Sequence, residues 1–170
     1  MNPYEQFKRE CADEVAVQGN DAQLARSSRK WMDQATARRY SYHFEWLGRP
    51  IIQYPQDITV IQELIWSVKP DLVIETGIAH GGSLMLSASL LALLDLCDAT
   101  EAGEILNPLV PKRRVLGIDI DIRAHNRTAI EHHPLGRRIH MLQGASVEPS
   151  VVREVRRLAS EAQRVMGHDH

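Results

Sequence analysis

A short apolar run, Leu72-Val73-Ile74, ends in Glu75 and passes directly into a turn bearing Gly77, Gly81 and Gly82, after which an apolar segment begins near Ser83. An uninterrupted run of this kind suits a strand buried on both faces of a parallel sheet. Two more runs follow, Arg114-Val115-Leu116-Gly117-Ile118-Asp119 and Ile139-His140-Met141-Leu142. Helical stretches are expected from about Arg123 to Glu131 and from Pro149 through Val152, Val155 and Ala159, while Val165-Met166 would start a fourth strand. Strands alternating with helices imply right-handed crossovers and a doubly wound α/β fold. Leu84 to Leu96 is interrupted by Ser87, Ser89 and Asp95. It falls short of the roughly 20 residues that cross a bilayer and reads as a buried helix. Residues 98–113, with acidic residues, Gly103 and two prolines, read as a loop.

Upstream of the first run, Asn20 and Gln23 form a capping pair for a helix in which Leu24, Ser28, Trp31 and Ala35 recur at helical spacing. Tyr40, Tyr42, Phe44 and Trp46 alternate as an extended strip ending at Gly48-Arg49-Pro50. A second helix opens near Pro55, sets Ile58, Ile61, Ile65 and Val68 on one face, and is closed by Pro70. The expected organisation is a helical extension over residues 1–69, a nucleoside-binding half-domain over 70–166, and a tail over 167–170. Trp31, Trp46 and Trp66 sit among apolar neighbours and are expected in the core.

Twenty Lys and Arg against 22 Asp and Glu give a formal charge of −2, with no basic run beyond Lys112-Arg113-Arg114. This argues against a nucleic-acid partner and for a small molecule. Cys11 and Cys97 are in no metal-ligand spacing, and the start of the chain lacks a secretory pattern, so the expected compartment is the cytoplasm. A homo-oligomer is compatible with all of this.

The chemistry is expected around the segment Glu75-Thr76-Gly77-Ile78-Ala79-His80-Gly81-Gly82-Ser83. Glycines there let the backbone turn tightly, and the free N–H groups at a helix start favour an anionic group. Asp119 ends the second strand, where doubly wound folds place an acid that accepts from ribose hydroxyls, with Asp121 in reserve or as a helix cap. Glu75 at the end of the first strand would repel a pyrophosphate but attract the amino group of a methionine moiety, directly or through water. That favours S-adenosylmethionine over NAD. A nicotinamide-dependent oxidoreductase stays as an alternative, weakened by Ala79 where the second glycine of a Gly-x-Gly-x-x-Gly turn would stand. Ser146, in the turn Gln143-Gly144-Ala145-Ser146, would either contact adenine or cap the next helix. His80 would face the cofactor or a substrate, whereas His132 and His133 read as solvated loop residues.

Tyr40-Ser41-Tyr42, Trp46-Leu47-Gly48-Arg49-Pro50, Ile52-Gln53-Tyr54-Pro55-Gln56-Asp57 and the whole Glu75 to Ser83 turn resemble the cephalosporin hydroxylase family, which includes rhamnosyl O-methyltransferases. The resemblance runs from about Leu24 to Met166 and implies a Rossmann-like, methyltransferase-type sheet. It also implies S-adenosylmethionine as cofactor and methyl transfer to a hydroxyl of a sugar, glycolipid or specialised metabolite. Gly144-Ala145-Ser146 is similar to the adenine-contacting turn of catechol-type O-methyltransferases. The family pattern further implies magnesium, held by an Asp at the end of the fourth strand and by acidic residues beyond the fifth. Against that pattern the chain ends at Val165-Met166-Gly167-His168-Asp169-His170, so the expectation is a first half without the metal ligands. Such a fragment would bind the cofactor at most, and the resemblance assigns no catalytic residue here. A metal site in His168-Asp169-His170 is not expected, because adjacent residues at a free end fray.

Overall fold

The computed structural model describes residues 2–169, which fall into two compact units, Met1–Tyr40 and Ser41–His170. The division corrects the expected boundary at 69, because residues 41–69 pack with the sheet. The first unit holds α1 (Pro3–Asn20) and α2 (Ala22–Ala37), neither of which has a buried residue. α1, with Tyr4, Phe7, Cys11 and Val15 at helical spacing, is a helix beyond those expected. The cap of α2 is Asp21, whose carboxylate accepts from the N–H groups of Gln23 and Leu24, and not the Asn20–Gln23 pair. Trp31 meets Tyr40 edge-on with ring centres 5.5 Å apart, and it is 47% exposed instead of belonging to a core.

The second unit opens with a hairpin, β1 (Phe44–Trp46) against β2 (Arg49–Ile51). Leu47 and Gly48 between them both take positive φ, +48° and +79°, as a two-residue hairpin turn twisted to match its strands requires. The aromatic strip is therefore extended only in part, since Tyr40–Tyr42 forms a 3₁₀ turn. α3 (Pro55–Val68) begins with proline at its first turn and stops where Lys69 turns left-handed.

The sheet follows as β3 (Leu72–Thr76), α4 (Gly82–Ala102), β4 (Arg114–Asp119), α5 (Ala124–Glu131), β5 (Ile139–Gln143), α6 (Pro149–Ser160) and β6 (Val165–Asp169). All four strands are parallel, in the order β5-β4-β3-β6. This is the Rossmann-like, doubly wound arrangement expected from the alternation of elements. β3 is interior, flanked by β4 and β6, and is not the exposed edge that a three-strand sheet would leave. β6 continues through residue 169, opposite Thr76, where the sequence suggested a tail from 167. The side chains of His168 and Asp169 and all of His170 lie outside the described residues, and so does any metal site built from them.

Two apolar clusters cover the two faces. Ile65, Val73, Leu84, Met85, Leu91, Val115 and Ile130 join α3, α4 and α5 to one face, while Leu72, Leu116, Ile118 and Val151 join α6 to the other. α4 runs on to Ala102, shortening the expected loop, and is long and apolar enough by itself to cross a membrane. Yet 61% of its apolar window is buried against the rest of the unit, which makes it the central core helix. Trp46 packs partly into this core, but Trp66 is 51% exposed with the Lys69 ammonium 5.2 Å from its ring centre.

One polar network is buried with the core. Asp95 of α4 accepts from Arg113 at 2.8 Å and from Arg138 at 2.5 Å, and Arg113 also donates to Asp98 at 2.7 Å. Arg138 donates in addition to the Arg113 carbonyl. The cluster fastens the middle of α4 to the starts of β4 and β5, at the edge of the sheet away from the glycine turn.

Candidate cofactor cleft

The strand order reverses beside β3, since β4 and β5 lie to one side and β6 to the other. In open α/β sheets the crevice at the carboxyl ends of the strands beside such a reversal is where ligands bind. Here that crevice is bounded by the turn from Gly77 to Gly82, the end of β4 and the loop after β5.

Asp119 is the centre of it. One carboxylate oxygen accepts from the Ile78 N–H at 2.8 Å and the Ala79 N–H at 3.3 Å, and the other accepts from the Asp121 N–H at 3.0 Å. A carboxylate offers about four acceptor positions, so the side chain braces the turn and still has room for about one more donor. Asp119 borders three recesses. The largest, about 440 Å³, lies between the turn and the residues flanking β2, and Tyr42, Gln53, His80 and Ser83 are among its walls. A second, about 320 Å³, is walled by Ile52, His80, Asp121, Arg123 and Asn126. The third, about 300 Å³, lies between Gly77 and the Gly144-Ala145-Ser146-Val147 turn, with Ile120 and Val147, both largely exposed, beside it.

The residues expected at the site separate into walls and supports. Gly77, His80, Gly82, Ser83 and Asp119 border the large recess, Asp121 the second and Ser146 the third. Ser146 does not cap α6, whose N-cap position is Glu148, and Asp121 does not cap α5, where Arg123 holds that place. Glu75 is fully buried and borders none of these recesses. It lies behind the turn, where one of its oxygens accepts the Ser83 hydroxyl. The Ser83 hydroxyl thus stands between this Glu75 oxygen and the large recess.

The glycines have reasons that the sequence could not separate. Gly77 and Gly81 take φ of +83° each, the left-handed region that a side chain disfavours. At Gly82 the need is space, because a Cβ would stand 2.3 Å from the Pro50 carbonyl oxygen and 2.7 Å from the Ile51 Cα. β2 thus rests directly on the turn, and protein instead of ligand fills the place of the absent side chain.

Two residues that sequence reasoning missed complete the turn. Arg49 of β2 donates to the His80 carbonyl through Nε at 2.9 Å and Nη2 at 2.7 Å, and Nη2 also reaches the Asn126 Oδ1 at 2.9 Å. Asn126 of α5 donates from Nδ2 to the Ala79 carbonyl at 2.7 Å. Arg49 lies in a segment that carried the family resemblance, which was its one signal, while nothing in the sequence marked Asn126. His133 also proves more engaged than a solvated loop residue. Its Nε2 lies 3.1 Å from the Leu47 carbonyl and its Nδ1 accepts from the Leu135 N–H, so the ring ties the β1–β2 turn to the segment that follows α5.

The family model described as Rhamnosyl O-methyltransferase/CmcI matches residues 38–168. No curated protein matches the chain. Among solved structures, a CmcI form described with magnesium and SAM is 20% identical, with a TM-score of 0.49 over 75% of this chain and 46% of that one. A CmcI apo-structure is likewise 20% identical, with a TM-score of 0.48 over 74% and 45%. An O-methyltransferase from Bacillus cereus in complex with SAH is 12% identical, with a TM-score of 0.39 over 94% and 60%. The chain therefore spans less than half the length of the CmcI chains it matches.

Proposed function

The chain belongs to the Rhamnosyl O-methyltransferase/CmcI family, and from that membership we propose that its second unit holds S-adenosylmethionine along the carboxyl edge of the sheet, for methyl transfer to a hydroxyl oxygen. The observation that carries the reading is Asp119, a strand-end carboxylate with acceptor capacity left over, set where three recesses meet. Three recesses around one acid suit a ligand with three chemically different parts. The turn at Gly144 to Val147, flanked by exposed aliphatic side chains, offers a slot for a flat purine. Asp119 offers the acceptor for ribose hydroxyls. The amino-acid arm falls to the turn before α4, where the first N–H groups of a 21-residue helix favour its carboxylate and the Ser83 oxygen, its proton held by Glu75, can accept from its ammonium. Such a cofactor supplies a sulfonium-activated methyl group. The residues of this chain contribute binding and orientation, which is the larger share of what a methyl transfer between aligned groups needs.

Tyr42, Ile52 and Gln53 form the wall of the large recess facing the turn and are the side from which an acceptor would approach. The acceptor we propose is a sugar or glycolipid hydroxyl, or one on a specialised metabolite. Magnesium is a different matter. Asp169 does end the fourth strand, the position the family pattern gives to a ligand, but among the described residues no group of three His, Cys, Asp or Glu side chains converges to hold a metal ion. Divalent cations of this kind take several oxygen ligands, so no step is assigned to a metal here.

Calorimetry with S-adenosylmethionine, S-adenosylhomocysteine and NAD tests the reading. Both sulfur nucleosides are expected to bind more tightly than NAD, and the reverse order rejects the proposal.

A further inference from the structure

Asn126 borders the second recess beside Asp119, and together with Arg49 it fixes two successive carbonyls of the turn. Arg49 grips the His80 carbonyl with two donors and the Asn126 side-chain oxygen with one of them. That last bond decides which way the Asn126 amide faces, since an oxygen toward the guanidinium places Nδ2 toward the Ala79 carbonyl, where it donates at 2.7 Å. The three groups form a closed set. In a planar trans peptide the C=O and the following N–H point in opposite directions. Holding the Ala79 carbonyl on Asn126 therefore turns the His80 N–H away from Asn126, and holding the His80 carbonyl on Arg49 does the same for the Gly81 N–H, which donates to Ile78. Ala79 itself is kept at φ +45°, a conformation that a non-glycine residue holds only when its neighbours enforce it.

We propose that Arg49 and Asn126 are positioning residues for the amino-acid arm of the cofactor: by fixing the Ala79 and His80 peptides they set the direction of the His80 N–H, just ahead of α4. The inference rests on the cofactor reading above and goes beyond it, because it divides the ligand. S-adenosylhomocysteine carries the arm, and methylthioadenosine keeps the purine, ribose and sulfur but lacks it. The first ligand meets the fixed turn with its arm, whereas the second depends on it only through Asp119, whose own bonds to the Ile78, Ala79 and Asp121 N–H groups the variants leave in place.

The test measures both ligands by calorimetry on the full chain and on Arg49→Ala, Arg49→Lys, Asn126→Ala and the double Arg49→Ala/Asn126→Ala. Each alanine variant is expected to weaken S-adenosylhomocysteine tenfold or more and methylthioadenosine less than twofold. The double variant should be little worse than the worse single one, because both residues act on one closed set. Arg49→Lys keeps the charge but not the fork and should remain weakened, whereas added guanidinium ion should partly restore Arg49→Ala. Equal weakening of both ligands, or additive losses, would show a merely structural role and overturn the inference. If Arg49→Ala does not fold, Arg49→Lys and Asn126→Ala decide by the same ratio. Failure of the unsubstituted chain to bind S-adenosylhomocysteine sinks the cofactor reading before any variant is made, and the inference with it.

Discussion

Asp119 has more to hold than a ribose. Three backbone N–H groups converge on it, so Asp119→Asn, which keeps the shape but replaces one acceptor oxygen with a donor, sets that donor against a backbone N–H on one side or the other. Asp119→Asn and Asp119→Ala are both expected to weaken S-adenosylhomocysteine by about 1–3 kcal/mol, the range for charge-assisted bonds, and to lower Tm as the turn loosens. Asp121→Ala should change neither quantity, because the tie of Asp121 to the brace runs through its backbone N–H, which alanine keeps. Calorimetry and thermal melts on the three variants decide, and an affinity loss confined to Asp121→Ala would move the ribose role there. The position of Asp119 was legible in the sequence because a strand-end acid follows from periodicity alone. The place of Glu75 was only half legible. Its position at the end of β3 was plain, but the Ser83 hydroxyl closing over it is a tertiary contact that no local pattern encodes.

At the scale of elements, the hairpin and the turn are one construction. Gly82→Ala would drive a methyl group into the Pro50 carbonyl 2.3 Å away, and backbone cannot give way as a side chain can. A cost of about 1–3 kcal/mol is expected from overpacking, together with a loss of nucleoside affinity. Gly48→Ala is the control, because nothing lies within 4 Å of its Cβ position and only the φ of +79° is strained. It should lower stability by about 1 kcal/mol and leave affinity alone; urea titrations and calorimetry separate the two. The buried Asp95 cluster makes a harder prediction. Asp95→Ala leaves the Arg113 and Arg138 guanidinium groups buried without their shared partner and should cost about 3–5 kcal/mol. Its neighbour Asp98 has a pKa lowered below the ordinary 3.8, mainly by its hydrogen bond from Arg113. A lowered folded-state pKa contributes stability at pH values above 3.8 and loses it as pH falls below that, so Asp98→Asn should flatten the acid side of the stability curve. The effect will be small, because Asp98 is 36% exposed. Strands and helices from β3 to β6 could be read in the sequence because each is a local period. The hairpin turn at Leu47 could not, since a non-glycine residue in left-handed conformation leaves no mark in the pattern, and neither could the three-charge cluster joining residues 95, 113 and 138, which is set by contacts distant in sequence.

For the whole molecule, the strand order β5-β4-β3-β6 decides where a ligand can sit, and every wall of the three recesses lies between Tyr42 and Val147, inside the unit that begins at Ser41. The first unit buries no residue of either of its helices and supplies no wall. Two consequences can be measured together. Removing residues 1–40 should leave a unit that melts cooperatively and binds S-adenosylhomocysteine within about twofold of the full chain, because the lining, the Asp119 brace and the Arg49–Asn126 set all remain. Ligand present at a hundredfold excess over Kd should then stabilise either form by about 2.7 kcal/mol. For a unit of this size that corresponds to a rise in Tm of roughly 10 °C, and NAD at the same concentration should give much less. A shortened unit that still melts cooperatively but shows no rise with S-adenosylhomocysteine, while the full chain does, would mean that α1 or α2 supplies part of the binding surface and that the site does not belong to the sheet unit alone.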